Sequence, residues 1–499
     1  MGIGATPLPQ GLSCNNSYED NLMPIQNSNY EGGHETGYNP LLLACSGGGG
    51  HISGIQGIRD FLRQKYPSSL LFSTHTPALY TQKKSSWTTT SIFLGSFLTN
   101  HIYILSPIIR KILQYTRFPV LPNLETLKNE ISTLNKKERS TPSRDYIDML
   151  LDIYPAGYES AAVWNILQRQ DQTTELKKLI TLQRMNDQNN YSFVYPKMFN
   201  VLNQAAICKK PYTEIISTQA LGLTAVCDAV IQYNENNLDK PQLIIHQYMT
   251  DLPTPGAVHF FNGLSTLTPK QQQQIQLYGV GMTQEVIDYF FPNGNYFKGS
   301  HNIPSKNNPM VRAGFKDPQY DNSERFDVEV TLNLHEEEPI VIKPNEQISS
   351  IILGSQASHD TVEYIETLIN RGMNKVFVFS GKLKAISEKI DVIIANHPTY
   401  KEKIIRLGYQ DDQHLAQLMT RSNVIITRGG GLSVMEQMAM SHHPEQIVLI
   451  HHPNAHTDVL TSGISWEDHN INALLYDLKQ SNIHALKTSP DRATRQLSQ

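Results

Sequence analysis

Two uninterrupted glycine runs carry the clearest chemical potential in the sequence. Gly47 to Gly50 are followed at once by His51, and Gly429 to Gly431 stand between Arg428 and the stretch Leu432, Ser433, Val434, Met435, Glu436. A glycine run ahead of a helix lets backbone N–H groups close on an anion, and the helix dipole adds partial positive charge at the same place. Both runs therefore suit phosphate. The first lacks the G-x-G-x-x-G spacing of a dinucleotide fingerprint and the Gly-Lys-Ser/Thr of a P-loop, so a plain tight turn is its alternative reading. His51 would project into the space in front of the glycines, where an imidazole can take a proton near neutral pH; a purely structural histidine is the alternative. Glu436 falls about one and a half turns into the second helix. There it is poorly placed to help a phosphate but well placed to accept hydrogen bonds from a ribose diol, unless it is simply a solvated glutamate. Arg428 is a candidate countercharge.

Each run needs a strand behind it and a helix in front. Leu41-Leu42-Leu43-Ala44-Cys45 has the short apolar texture of a buried parallel strand. Ile55, Ile58, Arg59 and Leu62 hold helical spacing, and Tyr66-Pro67 ends that helix. Strand ends recur at 214–218 and 243–246, the latter running into Met249-Thr250-Asp251-Leu252-Pro253. A break near 315–345 is marked by Asp317-Pro318, the run Glu336-Glu337-Glu338 and Lys343-Pro344. Then the grammar restarts. Ile351 to Leu353 lead into Gly354-Ser355-Gln356, Val376 to Phe379 into Ser380-Gly381, Val424 to Ile426 into the second glycine run, and Ile447 to Ile450 into His451-His452-Pro453. This pattern predicts an α/β protein with two Rossmann-like, doubly wound parallel sheets facing a cleft, ligands lying beyond the strand C-termini. The expected division is a polar flexible lead-in over 1–37, an N-terminal domain over 38–325 with an insertion at about 80–200, a C-terminal domain over 345–480, and a tail over 481–499 with the option of crossing back to the N-terminal domain.

Bulk properties fit this picture. A length of 499 residues suits two large domains or three ordinary ones. A formal net charge of −4 gives no global reason to expect nucleic acid as a partner. With 39% hydrophobic and 18% charged residues the chain is neither compositionally disordered nor a multi-span membrane protein. Cys14, Cys45, Cys208 and Cys227 form no C-x-x-C pair, so a reducing, cytoplasmic setting fits better than a disulfide scaffold. The lead-in lacks the basic start and apolar stretch of a secretory signal. His442, His443, His451, His452 and His456 match no standard zinc spacing, and no metal is expected. The apolar stretch Ile92 to Leu113 is broken by Thr99-Asn100-His101 and Pro107, which disfavours a membrane span. Core packing is one reading of it, and a membrane-surface or lipid-acceptor wall between Lys83-Lys84 and Arg110-Lys111 is the other. The charged stretch from Lys128 to Arg144 reads as a solvated helix or loop.

Taken in order, Ser46 to His51, Leu353 to Ala357, Tyr409-Gln410-Asp411-Asp412 with Met419, and Thr427 to Glu436 resemble the GT-B glycosyltransferases. The style is that of the lipid II N-acetylglucosaminyltransferases and the mono- and diglycosyl-diacylglycerol synthases, monogalactosyldiacylglycerol synthase among them. The resemblance implies transfer of a sugar from a nucleotide sugar, expected to be a UDP-sugar, to an acceptor hydroxyl, without a cofactor. A lipid-linked acceptor is one option, and with it peripheral membrane association. Residue by residue, Gly49, Gly50 and His51 match the loop near the donor phosphates and acceptor, with His51 a candidate base. Gly354, Ser355 and Gln356 match the diphosphate-side loop. Tyr409 and Gln410 match the nucleobase segment, and Gly429, Gly430, Gly431, Leu432 and Ser433 the diphosphate-binding helix start. Glu436 matches the ribose-binding acid. Asn454 with Ala455 resembles the pair after the sugar loop, which would put His451 and His452 near the donor sugar. Asp251 resembles the acidic position of the glycolipid synthases and is a second candidate base.

The departures concern specificity and stereochemistry. The sugar-loop Gln or Glu of the family is replaced by His451-His452-Pro453, so Asp468 or Asn472 would have to supply it under a shifted alignment. Residues 80–200 match nothing in the family, which leaves the acceptor open. Retaining members carry a second donor-site glutamate at the position Arg428 occupies, so the resemblance favours inversion. Glycine-loop amides, helix dipoles and Arg428 would then stabilise the leaving diphosphate, a role metals play elsewhere. Two other readings stay open: a nucleotide-sugar epimerase or hydrolase of the same fold, and a non-catalytic nucleotide-sugar-binding protein.

Overall fold

A computed structural model describes residues 37–46, 50–67, 122–140, 145–154, 157–170, 172–253, 258–320, 326–332, 334, 338–354, 358–380, 384–408, 410–452 and 466–497. The apolar run that precedes the first glycines forms β1 (Pro40–Ala44), buried along its whole length. It lies inside a six-stranded sheet with β2 (Ile147–Asp148), β3 (Glu214–Ser217), β4 (Ile245–Tyr248), β5 (Ile275–Gly279) and β6 (Gly299–Asn302), in the order β2-β1-β3-β4-β5-β6. Every pairing is parallel, with Leu43 opposite both Ile147 and Ser217. The strand order reverses beside β1, and the crevice at such a switch point is where open α/β sheets bind ligands. The Gly50–Lys65 helix starts there.

The second half repeats the plan. After a short antiparallel hairpin of β7 (Val330–Leu332) and β8 (Ile340–Ile342), six strands assemble: β9 (Ile348–Ile352), β10 (Lys375–Phe379), β11 (Ile404–Leu407), β12 (Val424–Arg428), β13 (Ile447–His451) and β14 (His484–Thr488). Their order, β11-β10-β9-β12-β13-β14, reverses between β9 and β12 and is again parallel throughout. Gly354 follows β9 and Gly429 follows β12, so the two C-terminal glycine segments flank this second switch point. The expected fold class, two Rossmann-like doubly wound parallel sheets, is the one the chain adopts.

Three stretches differ in detail from the sequence expectation. Within the region read as a linker, Leu332, Leu334 and Ile342 join Ile348, Phe377, Leu407 and Leu418 in one apolar cluster, so the hairpin belongs to the second half. Residues 481–499, read as a tail, supply edge strand β14 and the Pro490–Gln496 helix. That helix buries Ala493 in the C-terminal core, and Arg371 donates to the Thr494 carbonyl at 2.7 Å. Their apolar residues are too few and too spaced to announce a strand. The charged stretch from Lys128 lies in the Leu124–Ser140 helix, which is not merely solvated. Glu130 receives Arg169 through two bonds, of 2.6 and 2.9 Å, above a small core of Leu127, Ala162, Ile166 and Leu176. The helices Gly157–Arg169, Thr173–Asn189 and Tyr191–Ile207 complete the described part of the insertion. Ile92 to Leu113 lie outside the described residues. Among the described residues, no helix is long and apolar enough to cross a membrane.

Candidate functional site

At the carboxyl end of β1 the chain enters the glycine run, and a carboxylate fixes the entrance. Asp148, fully buried at the end of β2, accepts the Ser46 N–H at 3.0 Å and the Ser46 hydroxyl, and it also accepts the N–H groups of Leu150 and Leu151 at 3.2 Å each. Beyond the turn, His51 sits in the first turn of its helix with Nδ1 2.5 Å from the Thr218 carbonyl oxygen and 3.1 Å from Thr250 Oγ1. A carbonyl can only accept, so Nδ1 carries the proton and Nε2 is the basic nitrogen. Burial pushes the His51 pKa below its ordinary 6.5, opposed by the Thr218 carbonyl and the Asp148 charge. The ring is therefore neutral at pH 7, as a general base must be.

The second glycine run reaches the same place from the other half. A Cβ on Gly431 would stand 2.2 Å from the Thr250 carbonyl oxygen and 2.6 Å from Asp251 Oδ1. Only glycine permits that approach. It seats Asp251 at the start of the Gly431–Ala439 helix, where the dipole favours a carboxylate. Gly50 and Gly430 are different, since a Cβ on either would meet no atom of the described residues within 4 Å. Gly430, the helix N-cap, has an ordinary φ of −68°, so neither packing nor backbone conformation demands glycine there. Gly354 is likewise uncrowded, at a φ of +80°.

Glu436 is buried and paired. Arg312 Nε lies 2.7 Å from its Oε1, and Arg312 comes from the segment joining the two sheets. That segment is packed between the halves. Gly57 lies against the Met310 carbonyl, Gly314 lies against the Asp412 carbonyl and donates its N–H to the Asp412 carboxylate at 2.7 Å, and Lys316 donates to the Asn308 carbonyl at 2.9 Å. Arg428 is also buried and reaches out of its sheet to donate to the Gln168 carbonyl at 3.1 Å, in the Gly157–Arg169 helix. Its neighbour in register, His451, is turned inward, with Nδ1 2.8 Å from the Tyr364 hydroxyl. Burial first, then the charge of Arg428, holds the His451 pKa down at about 3. The ring is neutral at pH 7, so the 3.7 Å approach of Asp360 to its Nε2 is not an ion pair. His452 is buried, its N–H bonded to the Thr488 carbonyl at 2.9 Å. Gln410, Gly429 and Leu432 are buried, whereas Ser433 is half-buried. Gly49, Ser355, Gln356, Tyr409 and Asn454 lie outside the described residues.

A cavity of about 750 Å³ opens beside His51. Ser46, Leu221 and Leu223 form the wall on the sheet side, and Trp164, Asp187 and Tyr191 the wall on the insertion side. Thus the structure brings His51, which lines the cavity, next to Thr250, and Gly431 next to Thr250 and Asp251, while Glu436, Arg428 and His451 bond to Arg312, Gln168 and Tyr364. Among the described residues, no group of three or more His, Cys, Asp or Glu converges as metal ligands. Sequence reasoning passed over Asp148, Arg312 and the cavity wall. Thr218 and Thr250 stood within the quoted 214–218 strand end and Met249 to Pro253 segment without being singled out; β2 is too short to announce Asp148.

No family model matches the chain. No curated protein sequence matches it. Among solved structures it is similar to MurG of Acinetobacter baumannii, at 10% identity over 62% of this chain and 70% of that one, with a TM-score of 0.34. It is similar to a UDP-glucosyltransferase from Polygonum tinctorium at 9% identity over 92% and 88% of the two chains, TM-score 0.39. It is also similar to a putative UDP-N-acetylglucosamine 2-epimerase from Listeria monocytogenes at 11% identity over 61% and 70%, TM-score 0.35. Likenesses this remote carry no argument about chemistry, and the paired sheets stand on their own strand order.

Proposed function

We propose that the protein is an inverting, metal-independent glycosyltransferase that moves a sugar from a nucleotide-sugar donor, expected to be a UDP-sugar, to an acceptor hydroxyl. The single observation that carries this reading is the position of His51: its imidazole borders a cavity large enough for an acceptor and lies against the contact where the two halves meet.

In the proposed reaction His51 Nε2 takes the proton from the acceptor hydroxyl as its oxygen bonds to the anomeric carbon. The bond from that carbon to the diphosphate oxygen breaks, and the nucleoside diphosphate leaves with the electron pair. Backbone amides at Gly50, Gly430 and Gly354 are the groups available for its charge, with the dipole of the Gly431–Ala439 helix behind them. The uncrowded faces of Gly50 and Gly430 support this, because a phosphate could approach the backbone there as no side chain would allow. Of the two candidate bases His51 is preferred, because Asp251 sits where a helix N-terminus stabilises its anion and weakens it as a base. Glu436 meets the ribose only by sharing with Arg312.

The test is a thermal-shift and turnover pair on the whole chain. UDP at about 100 times its Kd should stabilise the protein by about 2.7 kcal/mol. His51→Gln should keep that shift and lose transfer. A His51→Gln variant with undiminished turnover, or no shift with any nucleotide diphosphate, would sink the proposal.

A further inference from the structure

We propose that the acceptor is an uncharged aromatic hydroxyl compound of small-molecule size, held in the cavity beside His51. This rests on the reading of His51 as the base that deprotonates it. At about 750 Å³ the cavity falls in the range that encloses a whole small ligand. Its walls include the rings of Trp164 and Tyr191 with Leu150, Ile180, Leu221 and Leu223. Such walls favour a flat apolar body, which aromatic side chains hold through offset or edge contacts.

Charge narrows the class further. The one charged side chain among the described lining residues is Asp187. Its carboxylate accepts the Tyr154 hydroxyl, and both its oxygens accept the Gly222 N–H, at 2.7 and 2.9 Å. Burial raises its pKa above the ordinary carboxylate value, so an added negative charge nearby would be felt strongly. A phosphate or carboxylate on the acceptor would enter this wall beside Asp187 and lose its hydration with no cation among the described lining residues to offset the loss. A neutral hydroxyl compound avoids that penalty, and its OH can meet His51 in the cavity lining. Three of the wall elements, the helices 157–169, 173–189 and 191–207, come from the insertion that matched nothing at the sequence level. Acceptor choice is thus carried by the part of the chain that is its own.

The test compares 2-naphthol with 6-hydroxy-2-naphthoate, which differs by one carboxylate, and with phosphatidylglycerol vesicles, whose head groups offer hydroxyls beside a phosphate. Binding to the full chain is measured by calorimetry without donor, and transfer with a UDP-sugar. The expected result is saturable binding of 2-naphthol with a Kd at least about tenfold below that of the carboxylate, and a gap that narrows several-fold in Asp187→Asn. Equal or tighter binding of the carboxylate overturns the proposal, as does transfer to the vesicles with none to 2-naphthol. Selective 2-naphthol binding with no turnover by any nucleotide sugar would instead uphold the cavity assignment and count against the transferase reading.

Discussion

The two glycine turns have the same grammar, a buried parallel strand followed by glycines and a helix, yet the halves use it differently. At the first, a Cβ on Gly50 would meet nothing among the described residues within 4 Å, and the neighbouring His51 borders a large cavity. At the second, Gly431 is pressed against the Thr250 carbonyl, Arg428 is bonded to the first half, and Glu436 is paired with Arg312. One turn leaves open space beside a histidine that lines a cavity, and the other chiefly holds the halves together, with Gly430 the exception inside it. Glycine therefore stands in two physical settings one residue apart: open space at position 430, which the proposed function gives to a phosphate, and close backbone approach at 431.

The largest expected effect belongs to the reactive turn. His51→Gln should lower kcat by about 10²–10⁴, the usual worth of a general base, with little change in thermal stability. A drop in stability without a drop in rate would make His51 a packing residue and erase the contrast. At the holding turn the sign reverses: Arg312→Ala leaves buried Glu436 without this partner and should cost about 3 kcal/mol in denaturant unfolding, the low end for a broken buried pair. Next comes the pair of adjacent glycines. Gly431→Ala forces a Cβ into the Thr250 carbonyl and should destabilise by about 1–3 kcal/mol.

Acid titration separates the turns more gently. The pKa values of His51, His442 and His451 are all lowered in the folded state, His451 to about 3, where Arg428 and His452 add to burial. The unfolded chain then binds protons that the folded chain refuses, so stability should fall as pH drops below about 6.5 and go on falling towards pH 3, by on the order of a few kcal/mol. The kcat/KM plateau should extend below pH 6.5, because neutral His51 persists there. The smallest effect expected on folding is that of Gly430→Ala, within about 0.5 kcal/mol of wild type, yet it should weaken nucleotide diphosphate binding. If the alanines at 430 and 431 behave alike, the two uses of glycine are not distinct.

Much of this was legible in sequence because parallel strands buried on both faces write continuous apolar runs, as at 41–45 and 424–426. Edge strands β11 and β14 were not, since Ile404-Ile405-Arg406-Leu407 and His484-Ala485-Leu486-Lys487-Thr488 mix charge into short runs. His51 could be singled out because it directly follows its glycines. Its partners could not: Thr218 and Thr250 lie on other strand ends, and Arg312 meets Glu436 only through the path of the connecting segment. The sequence put Arg428, Glu436 and His451 near a donor, but no spacing rule reveals that each side chain is already engaged, by Gln168, Arg312 and Tyr364. The cavity was unreadable because six separate stretches of chain build it.

The segment that joins the sheets has a consequence for how the molecule can be divided. It follows β6 in the chain, but Arg312 and Gly314 dock on Glu436 and Asp412 of the other sheet, while Met310 stays beneath Gly57. A gene split after codon 320 would leave the first fragment carrying this docking strip and the second carrying its receptor. The two polypeptides, made together, would reassemble through it, and made apart each would expose a surface built for the other.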